Sequence, residues 1–228
     1  MLISLCTPCH GRAADLAATM DARIETANAS PPVEIVILDY ASPDDVYSVW
    51  EANLNKPLEG GNTLVYRRYD GRSYYHMAHA WNLAVKASSG AYVAIMGADA
   101  NPRRRYVSEA RKLIAAGCEW MRGEYYKGIV IVKRDLFYAV RGYDERMEWY
   151  GREDKDLEMR LERTGAKFGL MPRRLAGTLR TPDSEKLRHY RLPLSKREMA
   201  ARNKAIWMDN ERRGVIAVNP DGWGRWDA

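Results

Sequence analysis

The sequence predicts an α/β protein built on a mostly parallel, Rossmann-like sheet that is flanked by helices. Over the first hundred residues, short apolar runs alternate with segments of helical periodicity, in the order expected for parallel strands joined by crossover helices. The runs are rich in β-branched residues and apolar along their length, which is typical of strands buried on both faces. The sequence shows no internal repeat.

The first half of the chain supplies most of the predicted sheet. We predict strands at residues 2–8, 33–40, 62–69 and 91–97, and helices at 12–28, from 42 onward and at 74–90. The second helix is expected to begin at Ser42, an N-cap residue that is followed by Pro43 at the first helical position. Gly90 is the expected end of the third helix, because glycine readily adopts the conformation that closes a helix.

The second half continues with mixed elements. We predict a helix at 102–117, a strand and a short helix within 127–145, a helix ending at Gly165, a strand at 167–172, a charged helix at 195–214 and a tail with two tryptophans. No linker-like stretch interrupts the chain. We therefore expect a single domain over residues 1–228.

Charge is distributed unevenly along the chain. The net charge is +6, but residues 1–100 hold 7 Lys/Arg against 11 Asp/Glu, whereas residues 101–228 hold 29 against 19. The second half is therefore the better candidate for contact with an anionic partner, although a solubilising surface explains the same numbers. The chain has three cysteines, no apolar stretch of membrane-spanning length, and a start that lacks signal-peptide features, so we expect a soluble protein of the cytoplasm.

Ligands of parallel α/β sheets bind at the carboxyl ends of the strands. In this chain those ends carry Thr7 and Pro8, Asp39, the pair at residues 67–68, and the segment Gly97-Ala98-Asp99. The sequence contains neither G-x-G-x-x-G nor G-x-x-x-x-G-K-[ST]. Dinucleotide-binding Rossmann enzymes and P-loop enzymes are therefore disfavoured.

The stretch EWYGREDKDLEMRLERTG, residues 148–165, is the most informative segment. Glu153 and Asp154 fall in the first turn of its predicted helix, where exposed amides and the helix dipole stabilise carboxylates. Trp149 and Tyr150 place flat aromatic faces beside these acids, an arrangement suited to holding a sugar ring. A charged structural helix is the alternative interpretation, but it leaves the acid pair after Trp-Tyr-Gly unexplained.

Residues 127–165 resemble the donor–acceptor segment of GT-A glycosyltransferases of the family-2 type, and are similar to galactosyl- and N-acetylgalactosaminyltransferases. The shared pattern is a glycine before a strand, G-[FY]-D-E, an aromatic-Gly-x-Glu-Asp motif, an acid two positions on, and R-L followed by a glycine. These features lie here at Gly128, residues 142–145, residues 150–154, Asp156 and residues 160–165. A looser resemblance extends over roughly residues 1–180, through CTPCHGR, VILDYASPDD and Asn82.

The resemblance implies inverting transfer of a sugar from a nucleoside-diphosphate sugar, expected to be uridine-linked, to an acceptor hydroxyl. It assigns the general base to Asp154, with Glu153 as its neighbour. Acceptor contacts fall to Trp149, Tyr150 and Gly151. Contacts to the nucleotide sugar fall to Thr7, Pro8, Arg12, Asp39, Arg72, Asn82, Ala98, Asp99 and Gly128. It also divides the domain into a nucleotide-sugar half (1–100), an acceptor and catalytic half (101–194), and a C-terminal helix and tail (195–228).

The metal motif of the resembled family is reduced in this chain. The family places Asp-x-Asp after the fourth strand, and here the segment reads Gly97-Ala98-Asp99. We expect Asp99 to hold a divalent ion, Mn²⁺ or Mg²⁺, together with donor phosphates. The basic run at residues 103–105 is the alternative means of stabilising a leaving diphosphate. The histidine that the family often adds after its last strand has no equivalent before His189.

Other motifs in the sequence suggest functions that the remaining residues support less well. CTPC (6–9) suits a redox site and, with His10, a zinc site, but both lack the remaining features of such sites. The histidines of HMAH (76–79) are expected on a packed or cleft-lining helix face. A degenerate module that only binds nucleotide, sugar or nucleic acid is the main rival, and a nucleotidyltransferase ranks lower because a Gly-rich phosphate loop is missing. The acceptor is open between a hydroxylated base in DNA, an anionic glycan and an acidic lipid head group.

Overall fold

The computed structural model describes residues 1–124 and 129–226 and confirms the predicted fold class. Within these residues the main sheet has the strand order β3-β2-β1-β4-β7-β6-β8, and a second, two-stranded sheet pairs β5 with β9. The strands are β1 Ile3–Cys9, β2 Val33–Tyr40, β3 Thr63–Tyr69, β4 Tyr92–Ile95, β5 Ala100–Pro102, β6 Trp120–Gly123, β7 Val130–Lys133, β8 Phe168–Met171 and β9 Ala176–Thr178.

Helices cover both faces of the main sheet. They are α1 Ala13–Asn28, α2 Val46–Glu51, α3 Met77–Lys86, α4 Tyr106–Ala115, α5 Arg134–Ala139, α6 Glu153–Arg163, α7 Asp183–Leu187 and α8 Lys196–Arg212, with a 3₁₀ turn at Arg173–Leu175. The α1 and α4 helices pack on one face, and α3, α5, α6 and α8 contribute to the core on the other. Every residue of β1 and β2 is buried, as their apolar runs predict.

One strand breaks the parallel pattern. The β1–β2, β1–β4, β2–β3 and β6–β8 pairs are parallel, whereas β7 is antiparallel to both of its neighbours. The register places Cys9, Asp39 and Arg68 side by side, so the carboxyl ends of β1, β2 and β3 meet at one edge of the sheet.

Several predicted boundaries were wrong for tertiary reasons. The α2 helix begins at Val46 and is capped by Asp45, not by Ser42, because the Ser42 hydroxyl donates to Asp44 and accepts from the Gly11 amide. The α3 helix begins at Met77 rather than at residue 74. The short elements β5, β6, β9 and α7 were not predicted, because three to five residues carry too little periodicity.

Over the described ranges 1–124 and 129–226, no helix has the length and apolar character needed to cross a bilayer.

Candidate active site

A cleft of about 410 Å³ lies at the carboxyl edge of the main sheet. Pro8 at the end of β1 and residues 97–100 after β4 form its floor, and the start of α6 contributes Glu153 and Asp154. Segment 178–190 adds further lining residues, among them Lys186 and His189. The structure therefore brings together predicted residues from both halves of the chain.

A group of charged side chains marks one part of the cleft. Asp99 lies 3.5 Å from Arg12 and 3.3 Å from Lys186, measured between carboxylate oxygen and side-chain nitrogen. Arg12 precedes α1 and also pairs with Asp15, whereas Lys186 lies on α7. Both cations are thus already matched by carboxylates, so a bound diphosphate would bring uncompensated negative charge to this group.

The second group is the acid pair at the start of α6. Gly151 and Arg152 precede the pair with φ angles of 93° and 79°, so the chain turns sharply immediately before the helix. Glu153 is 7% exposed, and its Oε2 atom has no hydrogen-bond partner in the described part of the chain. Asp154 is more accessible and also faces the cleft.

Burial and charge tune the groups around this pair. Loss of solvent, followed by the adjacent charge of Asp154, raises the pKa of Glu153 well above its usual value. Burial, and next the charges of Glu153 and Asp154, raises the pKa of Tyr150 to about 12. Glu153 therefore keeps its proton to a higher pH than an exposed glutamate does and can donate a hydrogen bond in that form, and the Tyr150 hydroxyl keeps its proton at neutral pH.

Two histidines lie between the cleft and a neighbouring polar cavity that both also line. His10 donates through Nδ1 to the Tyr40 carbonyl (2.5 Å), and its ring centroid is 5.0 Å from that of His189. Burial lowers the pKa of His10, and burial together with His10 lowers that of His189 to about 4, so both rings are neutral at pH 7. Gly11 makes room for His189, because a side chain at position 11 would collide with the imidazole.

Of the residues predicted to contact the donor, four line the cleft and a fifth, Thr7, is next to one of them in the chain. Pro8, Arg12, Ala98 and Asp99 line the cleft directly. Thr7 is fully buried behind Pro8, and its hydroxyl has no hydrogen-bond partner in residues 1–124 and 129–226.

Other predicted donor residues point elsewhere. Both carboxylate oxygens of Asp39 are engaged inside the protein, one by the Ser42 amide and the other by Tyr66 and Arg68. Arg72 lies near Tyr40 and the tyrosines around it, outside the cleft lining. Gly128 lies outside the described residues.

Asn82 was expected to contact the donor, but the structure gives it a different environment. It is fully buried, donates to the Tyr143 carbonyl and the Glu145 carboxylate, each at 2.9 Å, and accepts from the Tyr143 amide at 2.8 Å. These bonds join α3 to the Gly-Tyr-Asp-Glu turn. Asn82 is therefore too enclosed in this structure to reach a ligand in the cleft.

Of the three residues predicted to contact the acceptor, only Tyr150 lines the cleft. Tyr150 lines the cleft, whereas Trp149 is 9% exposed and packs in the core. Gly151 lies between Tyr150 and the acid pair and supports the turn rather than the lining. The run at residues 103–105 is exposed and does not line the cleft.

Sequence reasoning missed the contribution of Lys186, Thr178, Tyr75 and Tyr190 to the cleft. The Tyr75 amide donates to the His189 carbonyl (2.8 Å), which fixes the segment after α7 over the edge of the sheet. The one signal in the sequence was the histidine that comes late, at position 189. The position of His189 in the cleft depends on tertiary packing, which local sequence patterns do not predict.

The residues present fit a divalent ion only together with a donor. Asp99 offers hard carboxylate oxygens beside a small-residue segment, and its neighbouring cations leave diphosphate charge unbalanced, which favours an added cation. No group of three or more His, Cys, Asp or Glu side chains suited to a metal occurs in residues 1–124 and 129–226. An ion here would therefore take most of its ligands from phosphate and water.

Solved glycosyltransferase structures share this fold. The structure is similar to a mannosyltransferase of Pyrobaculum calidifontis solved with GDP-Man and Mn²⁺ (TM-score 0.62, 20% identity, covering 75% of this chain and 54% of the other). It is similar to S. aureus TarS 1-349 with UDP-GlcNAc (0.64, 13%, 90% and 65%). It is also similar to glucosyl-3-phosphoglycerate synthase of Mycobacterium tuberculosis with Mn²⁺, UDP and phosphoglyceric acid (0.64, 16%, 97% and 80%).

These neighbours define the class as a GT-A-type α/β fold. The model of Glycosyl transferase family 2 matches residues 4–169, and the chain belongs to that family. No curated protein matches the chain. The chain spans little more than half the length of the Pyrobaculum structure.

Proposed function

We propose that this chain transfers a sugar from a nucleoside-diphosphate sugar to an acceptor hydroxyl with inversion at the anomeric carbon. The observation that carries the proposal is the meeting of two groups in one cleft. Arg12, Asp99 and Lys186 form a charged group suited to a diphosphate, and Glu153 and Asp154 provide a carboxylate suited to deprotonating a hydroxyl. Family membership and fold support this assignment.

In the proposed reaction Asp154 accepts the proton of the acceptor hydroxyl while that oxygen attacks the anomeric carbon. The bond from the anomeric carbon to the diphosphate breaks, and its electron pair leaves with the diphosphate. Arg12 and Lys186 shift from their carboxylates towards the leaving oxygens and stabilise the charge that develops. In its protonated form, which burial favours, Glu153 can donate a hydrogen bond to Asp154 or to the acceptor.

We propose that Asp99 holds a divalent ion together with the donor phosphates, as its position after β4 suggests. Such an ion would supply positive charge to the diphosphate. Two structural neighbours were solved with Mn²⁺, which supports Mn²⁺ or Mg²⁺ as the candidates. Two neighbours are described with uridine nucleotides, which supports a uridine-linked donor.

The acceptor is proposed to be anionic, because cations stand over the aromatic rings around the acid pair. The Lys196 ammonium lies 5.2 Å from the Tyr150 ring centre, and the Arg202 guanidinium lies 5.2 Å from that of Trp149. Arg152 and Lys155 lie at 5.7 and 5.8 Å over Trp207 on the same helix as Arg202. We call Arg152, Lys155, Lys196 and Arg202 the cation row. A hydroxylated DNA base, an anionic glycan and a lipid head group all meet this requirement.

The proposal is tested by measuring nucleotide release with a panel of nucleotide sugars, with and without Mn²⁺. Asp154→Asn should bind nucleotide normally but lose transfer by about 10²–10⁴-fold, the usual effect of removing a general base. Asp135→Asn is the matched control, because Asp135 is an exposed acid in the first turn of α5 and lies outside the cleft lining. Equal activity of the two variants would refute the role of Asp154. Nucleotide binding without release from any donor would favour a degenerate binding module.

A further inference from the structure

The C-terminal helix α8 presents a stripe of residues to the loop before the acid pair and, at the end of the stripe, to Asp144 and Asp156. Ala200, Asn203, Trp207 and Asn210 follow one another at intervals of three, four and three, so they lie along one face of the helix. Asn203 and Asn210 are fully buried. The sequence predicts only a charged helix here, and the structure shows that this face is an internal contact surface.

Asn203 forms hydrogen bonds with the loop at two points. Its side-chain amide donates to the Trp149 carbonyl at 2.6 Å and to the Gly151 carbonyl at 2.8 Å. These carbonyls flank Tyr150, which lines the cleft, and the second one lies two residues before Glu153. One buried side chain thereby fixes the backbone on both sides of a residue in the site.

The loop needs such support because it adopts a costly conformation. Gly151 and Arg152 both have positive φ, and Arg152 has a side chain that disfavours this region. Ala200 closes the space behind Gly151, since its Cβ lies 3.5 Å from where a Cβ on Gly151 would stand. The Arg152 guanidinium lies over the Trp207 ring, so α8 contacts each residue of the turn.

We propose that Asn203 is a positioning residue, which holds the 149–152 turn so that Asp154 and Glu153 face the reacting hydroxyl. The inference rests on the proposed function for its catalytic consequence, while its structural part concerns the turn alone. Asn203 does not line the cleft and makes no contact with the donor group. Its loss should therefore slow the chemical step and leave donor binding unchanged.

Asn203→Ala is expected to lower kcat by about 10–100-fold, because misplacement of a catalytic group by about 1 Å costs on that scale. KM for the donor should stay within about twofold. The milder Asn203→Ser keeps a single hydroxyl donor, so its kcat should lie between those of wild type and Asn203→Ala. The serine variant also tests the proposal if the alanine variant does not fold.

Asn62→Ala is the matched control for a purely structural effect. Asn62 is also buried and polar, accepts from the Val33 amide at 2.7 Å and donates to Asn28, but it directly precedes β3, at the amino end of the strands and away from the cleft. It should lower the thermal midpoint without lowering kcat at a temperature where the protein is folded. Equal loss of kcat in folded Asn203→Ala and Asn62→Ala would overturn the proposal.

Amide hydrogen exchange provides a readout that needs no activity. Residues 150–156 should exchange faster in Asn203→Ala than in wild type, and at the wild-type rate in Asn62→Ala. Unchanged exchange in Asn203→Ala would refute the positioning role whatever the enzyme transfers. Faster exchange in a protein without transfer from any donor would uphold the positioning of the turn and count against the proposed function instead.

Discussion

Replacing Glu153 by Gln tests whether this buried acid is protonated in the folded protein. The substitution keeps the shape and a hydrogen-bond donor but removes the ionisation. In the folded state burial and then Asp154 raise the pKa of Glu153 well above the ordinary value of 4.5. Below pH 4.5 the carboxyl group is protonated in the folded and unfolded states alike, so pH has no effect through this group.

Above pH 4.5 the unfolded chain ionises while folded Glu153 keeps its proton, and the unfolded state gains stability. The free energy of unfolding then falls by up to about 1.4 kcal/mol for each pH unit, until the folded pKa is reached. The Glu153→Gln variant has no ionisable group at this position, so its free energy of unfolding does not fall with pH for this reason. Its stability relative to wild type should therefore be near zero at pH 4 and should rise with that slope towards neutral pH.

The assay is urea unfolding between pH 4 and 8, followed by the fluorescence of the 7 tryptophans. Glu162→Gln, an exposed position on the same helix, is the control and should show no comparable slope. A stability difference that stays flat or falls as pH rises would show that Glu153 is ionised in the fold. Transfer by the Gln variant at pH 7 should stay within about tenfold of wild type, since Asp154 remains the base.

Three further outcomes are expected. Lys186→Met should weaken binding of a uridine diphosphate by about tenfold in calorimetry, whereas the exposed Lys112→Met should not; equal affinities would remove Lys186 from the donor site. Arg160→Met should lower the free energy of unfolding by about 3–5 kcal/mol, because it leaves Asp156 buried without its ion-pair partner, and adding Asp156→Leu should recover part of that loss in the same urea titration. Arg202→Glu should raise KM for an anionic acceptor at low salt but not at high salt, while nucleotide release without acceptor stays constant; a salt-independent effect would contradict an electrostatic role.

The sequence was sufficient for the elements whose burial is continuous. The strands β1, β2 and β4 are mostly apolar and buried at every residue, and the ends of β1 and β4 place Pro8 and Asp99 in the cleft as expected. The first turn of α6 likewise places both acids there. In each case the local pattern and the tertiary position agree.

Tertiary contacts decided what the sequence left open. The segment SPDD, residues 42–45, contains several residues able to cap a helix. The Gly11 amide donates a hydrogen bond to the Ser42 hydroxyl, and Asp45 caps α2 instead of the predicted Ser42. Lys186 lies in a five-residue helix with no periodic signal, so its approach to Asp99 depends on how segment 178–190 packs. The amide of Asn82 could equally have bound a ligand, and only the neighbouring Gly-Tyr-Asp-Glu turn shows that it is occupied.

The reversed strand β7 has a consequence for how such an enzyme can diversify. Because β7 runs against β4 and β6, β6 ends and β7 begins at the edge where the cleft opens, and Ile129 just before β7 lines it. Pro8 and residues 97–100, at the ends of β1 and β4, line the cleft separately from Ile129, so these two parts of the lining can change independently. An enzyme of this architecture can therefore change the cleft lining near Ile129 while the strands β1 to β4 stay unaltered.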